Sequence, residues 1–265
     1  MGMVNIRASS LAELFDCPAR WAAKHIDGLR SPRSAAAQLG TAVHAGTAVF
    51  DSSRLPGGDP VSADDAAGAL VDAIHNPDED VDWDETAPNE AERIALALHS
   101  KYCAEIAPHQ VYRGVEVRCE KLELPDLGIA LTGTTDRVRE TPDGLGIADL
   151  KTGGRAVGAD GQVATQGHAV QLGVYELLAE HAMGLVISAP AQIVGMNTGK
   201  TPAAQRVGTG EVVDAKAVLI GTDEHPGLLE HASKIIHSGL FFGNSKSVLC
   251  SEKYCPAHSI CKFKS

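Results

Sequence analysis

The sequence predicts an α/β fold, and three observations carry that prediction. Apolar residues recur at helical spacing through the first 110 positions, alternate with period two from Val111, and return to helical spacing near residue 166. With 44% hydrophobic and 22% charged residues, the 265 positions suffice for a sizeable core. No apolar run approaches the roughly 20 residues that a membrane-spanning helix needs. Residues 1–12 lack the basic and apolar regions of a secretory signal, so a cytoplasmic protein without a membrane partner is expected.

Ser10, with Glu13 three residues on, reads as a capping box starting a short helix through Leu11, Leu14 and Phe15. Pro18 restarts it, and Trp21, Ala22 and His25 continue the helical face. Residues 34–50, rich in alanine and carrying Gly40 and His44, read as a long helix. Pro56, Gly57, Gly58 and Pro60 mark a loop over 55–61. Ser62 and Pro88 open two further helices, the second with Ile94, Leu98, Tyr102 and Ile106 at helical spacing. Val115, Val117 and Cys119 then alternate with Glu116 and Arg118 in a strand. Residues 129–139 and 145–151 are the next two strands, joined through the turn signal Thr141-Pro142-Asp143-Gly144. Residues 166–183 read as a helix with Val170, Val174, Leu177 and Leu178 inward, and 191–196 as a fourth strand. Two helices, 212–220 and 226–237, precede an aperiodic, Cys-rich segment over 248–265.

A net charge of -11 argues at first against a nucleic-acid partner, because phosphate binding draws on Lys and Arg. The distribution changes that. Residues 51–92 hold 13 of the 34 acids, Asp51 and Asp84 among them, against one base, Arg54. The remainder carries 21 acids and 22 bases, which leaves room for a local basic groove. The acidic stretch itself reads as a solvated surface insertion.

Strand periodicity puts Asp149 and Lys151 on one face and Leu150 on the other. A turn centred on Pro142 and Asp143 makes Asp136 the cross-strand neighbour of Asp149; a three-residue loop with a bulge at Gly144 would put them on opposite faces. Adjacent carboxylates repel unless a cation lies between them. Asp136, Asp149 and the Leu150 backbone carbonyl form an oxygen set suited to Mg²⁺, and His44 would add a nitrogen that favours Mn²⁺. Glu116 could hold a second ion or its waters. Lys151 would orient the attacking water and offset phosphate charge. Taken alone, Asp149 and Lys151 equally form a surface ion pair.

Gly40-Thr41-Ala42-Val43-His44, Gly133-Thr134-Thr135-Asp136, Ile147-Ala148-Asp149-Leu150-Lys151-Thr152-Gly153 and Gln171-x-x-x-Tyr175 follow one another in this order. In that order they resemble the His, Gly-x-x-Asp, Asp-x-Lys and Gln-Tyr motifs of RecB-like nucleases in the PD-(D/E)XK superfamily. The resemblance runs from about residue 9 to 261. It implies a restriction-endonuclease-like αβββαβ core with a mixed central sheet flanked by helices, and metal-dependent hydrolysis of DNA. It makes His44, Asp136 and Asp149 metal ligands, Lys151 the catalytic lysine, and Gln171 and Tyr175 catalytic residues of the active-site helix. Helical spacing puts Gln171 and Tyr175 on one face.

Cys250, Cys255 and Cys261 lie in a C-x4-C-x5-C run, and Cys17 stands far away before Pro18. Four thiolates suit a [4Fe-4S] cluster or zinc, and His258 could replace one of them around zinc. The pattern is similar to the iron-sulfur subset of the superfamily, which includes CRISPR-associated RecB-like exonucleases. That resemblance implies a cluster joining the N- and C-terminal segments, although its usual first gap is x2 rather than x4. Cys103 and Cys119 sit at apolar positions and read as core. Gly195-Met196-Asn197-Thr198-Gly199-Lys200-Thr201 is one residue short between its glycines for a phosphate loop. Arg20, Lys24, Arg137, Arg139 and Arg155 are candidate DNA contacts.

The expected organisation is a single nuclease domain over 1–265. It comprises N-terminal helices over 9–50, an acidic helical insertion over 51–110, a nuclease core over 111–240 and a cluster segment over 248–265. The resemblance implies an exonuclease on single-stranded or duplex DNA ends, serving recombination, repair or phage replication, with a homo-oligomer or recombination and CRISPR proteins as further partners. The alternative is a non-catalytic iron-sulfur module that binds DNA ends.

Overall fold

The computed structural model describes residues 2–83 and 85–264, so Asp84 of the acidic stretch lies outside the described residues. Its centre is a mixed sheet built from β1 (Val4–Arg7), β4 (Tyr112–Leu124), β5 (Ile129–Thr141), β6 (Gly144–Gly153), β7 (Ala191–Asn197) and β8 (Val207–Val212). Two further short strands, β2 (Arg33–Ser34) and β3 (Val81–Asp82), pair with each other away from it. β4 and β6 run antiparallel to β5, β1 runs parallel to it, and β7 runs parallel to β6 and antiparallel to β8. The turn after β5 is the two-residue form: Thr141 pairs with Gly144 and Arg137 with Ala148, so the bulged register does not occur.

Helices cover both faces. On one, α1 (Leu11–Asp16), α2 (Pro18–His25), α6 (Ala169–Met183), α7 (Ala215–Ile220) and α8 (Leu228–Ser238) enclose a core that includes Ile6, Trp21, Leu131, Ile147, Leu178 and Ile193. On the other, α3 (Ala35–Ser52), α4 (Ala63–His75) and α5 (Pro88–Lys101) bury Val43, Leu70, Leu98 and Tyr102 against Leu150, Val194 and Met196. Alternation along β6 assigns Ile147 to the first core and Leu150 to the second. Burial of each large aliphatic side chain contributes about 1.5–3 kcal/mol.

Most expected elements form where the spacing places them, with several differences. β1, β2, β3 and β8 lie outside the expected strands, and the helix expected over 212–220 starts only at Ala215, after β8 has ended at Val212. The helix expected from residue 166 begins at Ala169. The capping box does not close, because Ser10 Oγ donates to the Arg7 carbonyl and Glu13 bonds Arg20 and Lys24. Asp51 is not solvated with its acidic neighbours but buried beneath β5. None of the described helices is long and apolar enough to cross a membrane.

Candidate active site

The site lies at a break in the sheet. β1 and β6 share one edge of β5, β1 pairing with Ile129 through Thr132 and β6 with Arg137 through Thr141. Among the described residues, no strand therefore pairs with 133–136 on that side. The Asp136 carboxylate fills the break, its Oδ2 accepting a hydrogen bond from the Leu150 amide at 2.8 Å. On the opposite edge Val115 faces Arg137 and Val117 faces Thr135, which sets Glu116 beside Asp136. Asp149, next on β6 after the Ala148–Arg137 pair, stands on the other flank. Three carboxylates on three adjacent strands thus share one level of the sheet.

Glu116 is held at φ 49°, in the left-handed region that costs a non-glycine residue about 1–3 kcal/mol and persists where its surroundings enforce it. Its carboxylate is engaged by Arg137. Fully buried, Arg137 donates to Glu116 Oε1 at 3.1 Å, the Asp136 carbonyl at 2.7 Å, Asp51 Oδ2 at 2.7 Å and Thr47 Oγ1 at 3.1 Å. Tyr102 donates to the same Asp51 oxygen at 2.6 Å.

His44 reaches the site from α3. Its Nε2 lies 3.0 Å from the Leu150 carbonyl and its Nδ1 3.6 Å from Asp136 Oδ1. Gly40, one turn earlier, permits this approach, since a Cβ there would stand 2.7 Å from Thr152 Oγ1. Lys151 Nζ lies 2.7 Å from Asp149 Oδ2 and donates to Gln171 Oε1 at 3.0 Å, and Gln171 Nε2 donates to the Tyr175 hydroxyl at 2.9 Å. A cleft of about 740 Å³ is lined by His44, Asp136, Asp149, Leu150, Lys151, Gln171 and Tyr175.

The electrostatics are those of crowded carboxylates, two of them buried. Burial, then Asp136, pushes the Asp149 carboxyl up to about 6, with Lys151 opposing. Burial and Asp136 also raise half-exposed Glu116. Burial acts to raise Asp136 too, but His44, the Leu150 amide and Lys151 hold it below the usual carboxylate range. Burial disfavours the His44 imidazolium, yet Asp136, Glu116 and Asp149 raise it overall.

Donor atoms of His44, Glu116 and Asp136 all lie within 4.8 Å of one another, a mixed oxygen and nitrogen set that could hold a divalent cation. Glu116, the peripheral member of the expected set, stands inside this group. Asp149 stands beside it, engaged by Lys151. Asp51, Thr47 and Tyr102 escaped the sequence reading, although Thr47 and Asp51 follow His44 by three and seven residues and so share its helical face.

The basic residues differ from expectation. Arg137 is fully buried in the network just described. Arg139 is buried against the Pro190 carbonyl and Glu211, and Arg20 against Glu13 and Asp16. All three are buried and already engaged by carboxylates inside the protein, which leaves them little surface to offer DNA. Lys24 pairs with Glu13, whereas Arg155 is exposed near the end of β6.

Cys17, Cys250, Cys255 and Cys261 line one cavity of about 200 Å³. The surrounding chain is tied together. The Asn244 amide donates to Cys17 Sγ at 3.4 Å, Asn244 Nδ2 to the Asp16 carbonyl at 3.0 Å, and Ser247 Oγ to Asp16 Oδ2 at 2.6 Å. Burial raises the Cys255 thiol, with Cys17 and Cys261 adding to the effect. Cys103 and Cys119 are buried elsewhere, and burial pushes the Cys103 thiol up to about 12.

The family model of the PD-(D/E)XK nuclease superfamily matches residues 6–262. No curated protein matches the chain.

Proposed function

The chain belongs to the PD-(D/E)XK nuclease superfamily, and from that premise we propose that it is a Mg²⁺- or Mn²⁺-dependent deoxyribonuclease acting as an exonuclease on single-stranded or resected DNA ends. The observation that carries this reading is the convergence of His44, Glu116 and Asp136 beside the Asp149–Lys151 pair in one cleft. The cation would be held by His44, Glu116, Asp136 and Asp149, with the Leu150 carbonyl at its margin, and would polarise the phosphate and acidify a bound water.

The remaining work belongs to the chain. Lys151 directs its ammonium into the cleft, where it orients water and offsets charge building on the phosphate. Gln171 fixes Lys151 by accepting its hydrogen bond, and Tyr175 fixes Gln171 in turn. Asp149 holds the other side of Lys151. Recombination, repair or phage replication in the cytoplasm, as a homo-oligomer or with recombination or CRISPR proteins, is the setting this reading supports.

The four cysteines are proposed to hold a [4Fe-4S] cluster, as in the iron-sulfur subset. What supports this is that all four cysteines, far apart in sequence, line one cavity.

Digestion of end-labelled single- and double-stranded DNA with Mg²⁺ or Mn²⁺ tests the activity. Lys151→Ala should lower the rate at least about a hundredfold. Absence of cleavage by the cluster-loaded wild type would instead leave a DNA-end-binding module of the same fold.

A further inference from the structure

Beside the cleft, a second cavity of about 490 Å³ opens where β1 ends against β5. Ser9 and Tyr175 line both, so the two spaces adjoin across these side chains. The far walls of the second cavity include Arg7, Arg118, Thr132 and Thr134. Strand register accounts for the grouping: Arg7 of β1 is opposite Thr132, and Arg118 of β4 is opposite Thr134. The two guanidinium groups therefore flank β5 from its two edges.

We propose that this cavity receives the DNA strand leading away from the scissile phosphate, with Arg7 and Arg118 binding its phosphates and the threonines adding hydroxyl donors. Thr132, Thr134 and Asp136 follow one another at two-residue intervals along β5, a step of about 7 Å. That is on the order of the step between successive phosphates in a nucleotide chain. Arginines and hydroxyls suit phosphate oxygens, whereas a cationic or uncharged ligand gains nothing from two guanidinium groups.

Both arginines are exposed, unlike Arg20, Arg137 and Arg139. The ion pair of Arg118 with Glu120, at 3.4 Å and with both side chains at least three-quarters exposed, is of the weak surface kind that a phosphate displaces readily. Gly133 lies between the two threonines. A Cβ there would meet Leu178, Ala8 and Tyr175 at 3.0–3.4 Å, so the passage has no room for a side chain at this position.

The proposal rests on the nuclease reading, and its test separates the two. Binding of a fluorescent single-stranded oligonucleotide is measured in EDTA across a salt series for wild type, Arg7→Ala/Arg118→Ala and Arg113→Ala. Arg113 is an exposed β4 residue paired with Glu140, outside both cavities. The double variant should bind about tenfold more weakly or worse. The slope of log affinity against log salt should also fall by about 1.4, from about 0.7 per phosphate contact on a single strand. Arg113→Ala should match wild type, and circular dichroism should show all three equally folded. A double variant with wild-type affinity and slope, alongside wild type that binds and cleaves DNA, overturns the subsite and leaves the nuclease standing. Wild type that neither binds nor cleaves DNA overturns both.

Discussion

Arg137 bonds four groups at once, two of them the carboxylates of Asp51 and Glu116, brought to it by different elements. Removing a buried partner leaves an uncompensated charge, so Arg137→Ala should cost about 3–5 kcal/mol in a urea titration. Adding Asp51→Asn should recover part of that loss, since the stranded carboxylate is then neutral. Glu176 on α6 titrates in the opposite sense from a stabilising ion pair. Burial, opposed by Lys216, pushes it up to about 7 from an ordinary value near 4.5. The folded state therefore holds its proton more tightly, and stability contributed below pH 4.5 is lost as pH rises through 7. Glu176→Gln should flatten the melting temperature between those limits and raise it at pH 8. An unchanged pH profile would show that Glu176 ionises freely in the fold.

At the scale of elements, α3 brings His44 to the sheet only because Gly40 lets it approach Thr152. Gly40→Val should push the helix outward, and a displacement of about 1 Å at His44 would lower cleavage on the order of a hundredfold. Circular dichroism should remain close to wild type; full activity would show that the helix seats without this contact. The Pro142-Asp143 turn and the apolar alternation of β5 and β6 were legible in the sequence because both are local signals. From them came the approach of Asp136 to Asp149. β8 was not legible, because Gly208 and Gly210 interrupt its pattern. Those glycines are explained by contacts far away in sequence: a Cβ at Gly208 would meet Val163, and one at Gly210 would meet Thr165 and Val163. β1 has only four residues and depends on a partner more than 120 positions later. The inward turn of Asp51 was hidden by its acidic neighbours, since composition records charge and not the pairing with Arg137.

Across the whole molecule, four thiols from positions 17 to 261 meet in one cavity. Cys261→Ala in anaerobically purified protein should lose bound iron and lower the melting temperature together, while Cys119→Ala, in the apolar core, should keep its iron. Stoichiometric zinc in place of iron would replace the cluster with a single-ion site. The central sheet also separates two apolar cores, and the site draws on both sides of it: His44 rides on the α3–α5 layer, whereas Gln171 and Tyr175 ride on α6. Hydrogen exchange should therefore resolve two cooperative units that open separately. Opening of the α3–α5 unit alone would carry the histidine away and leave the carboxylates on their strands, so inactivation by heat would precede the loss of the sheet.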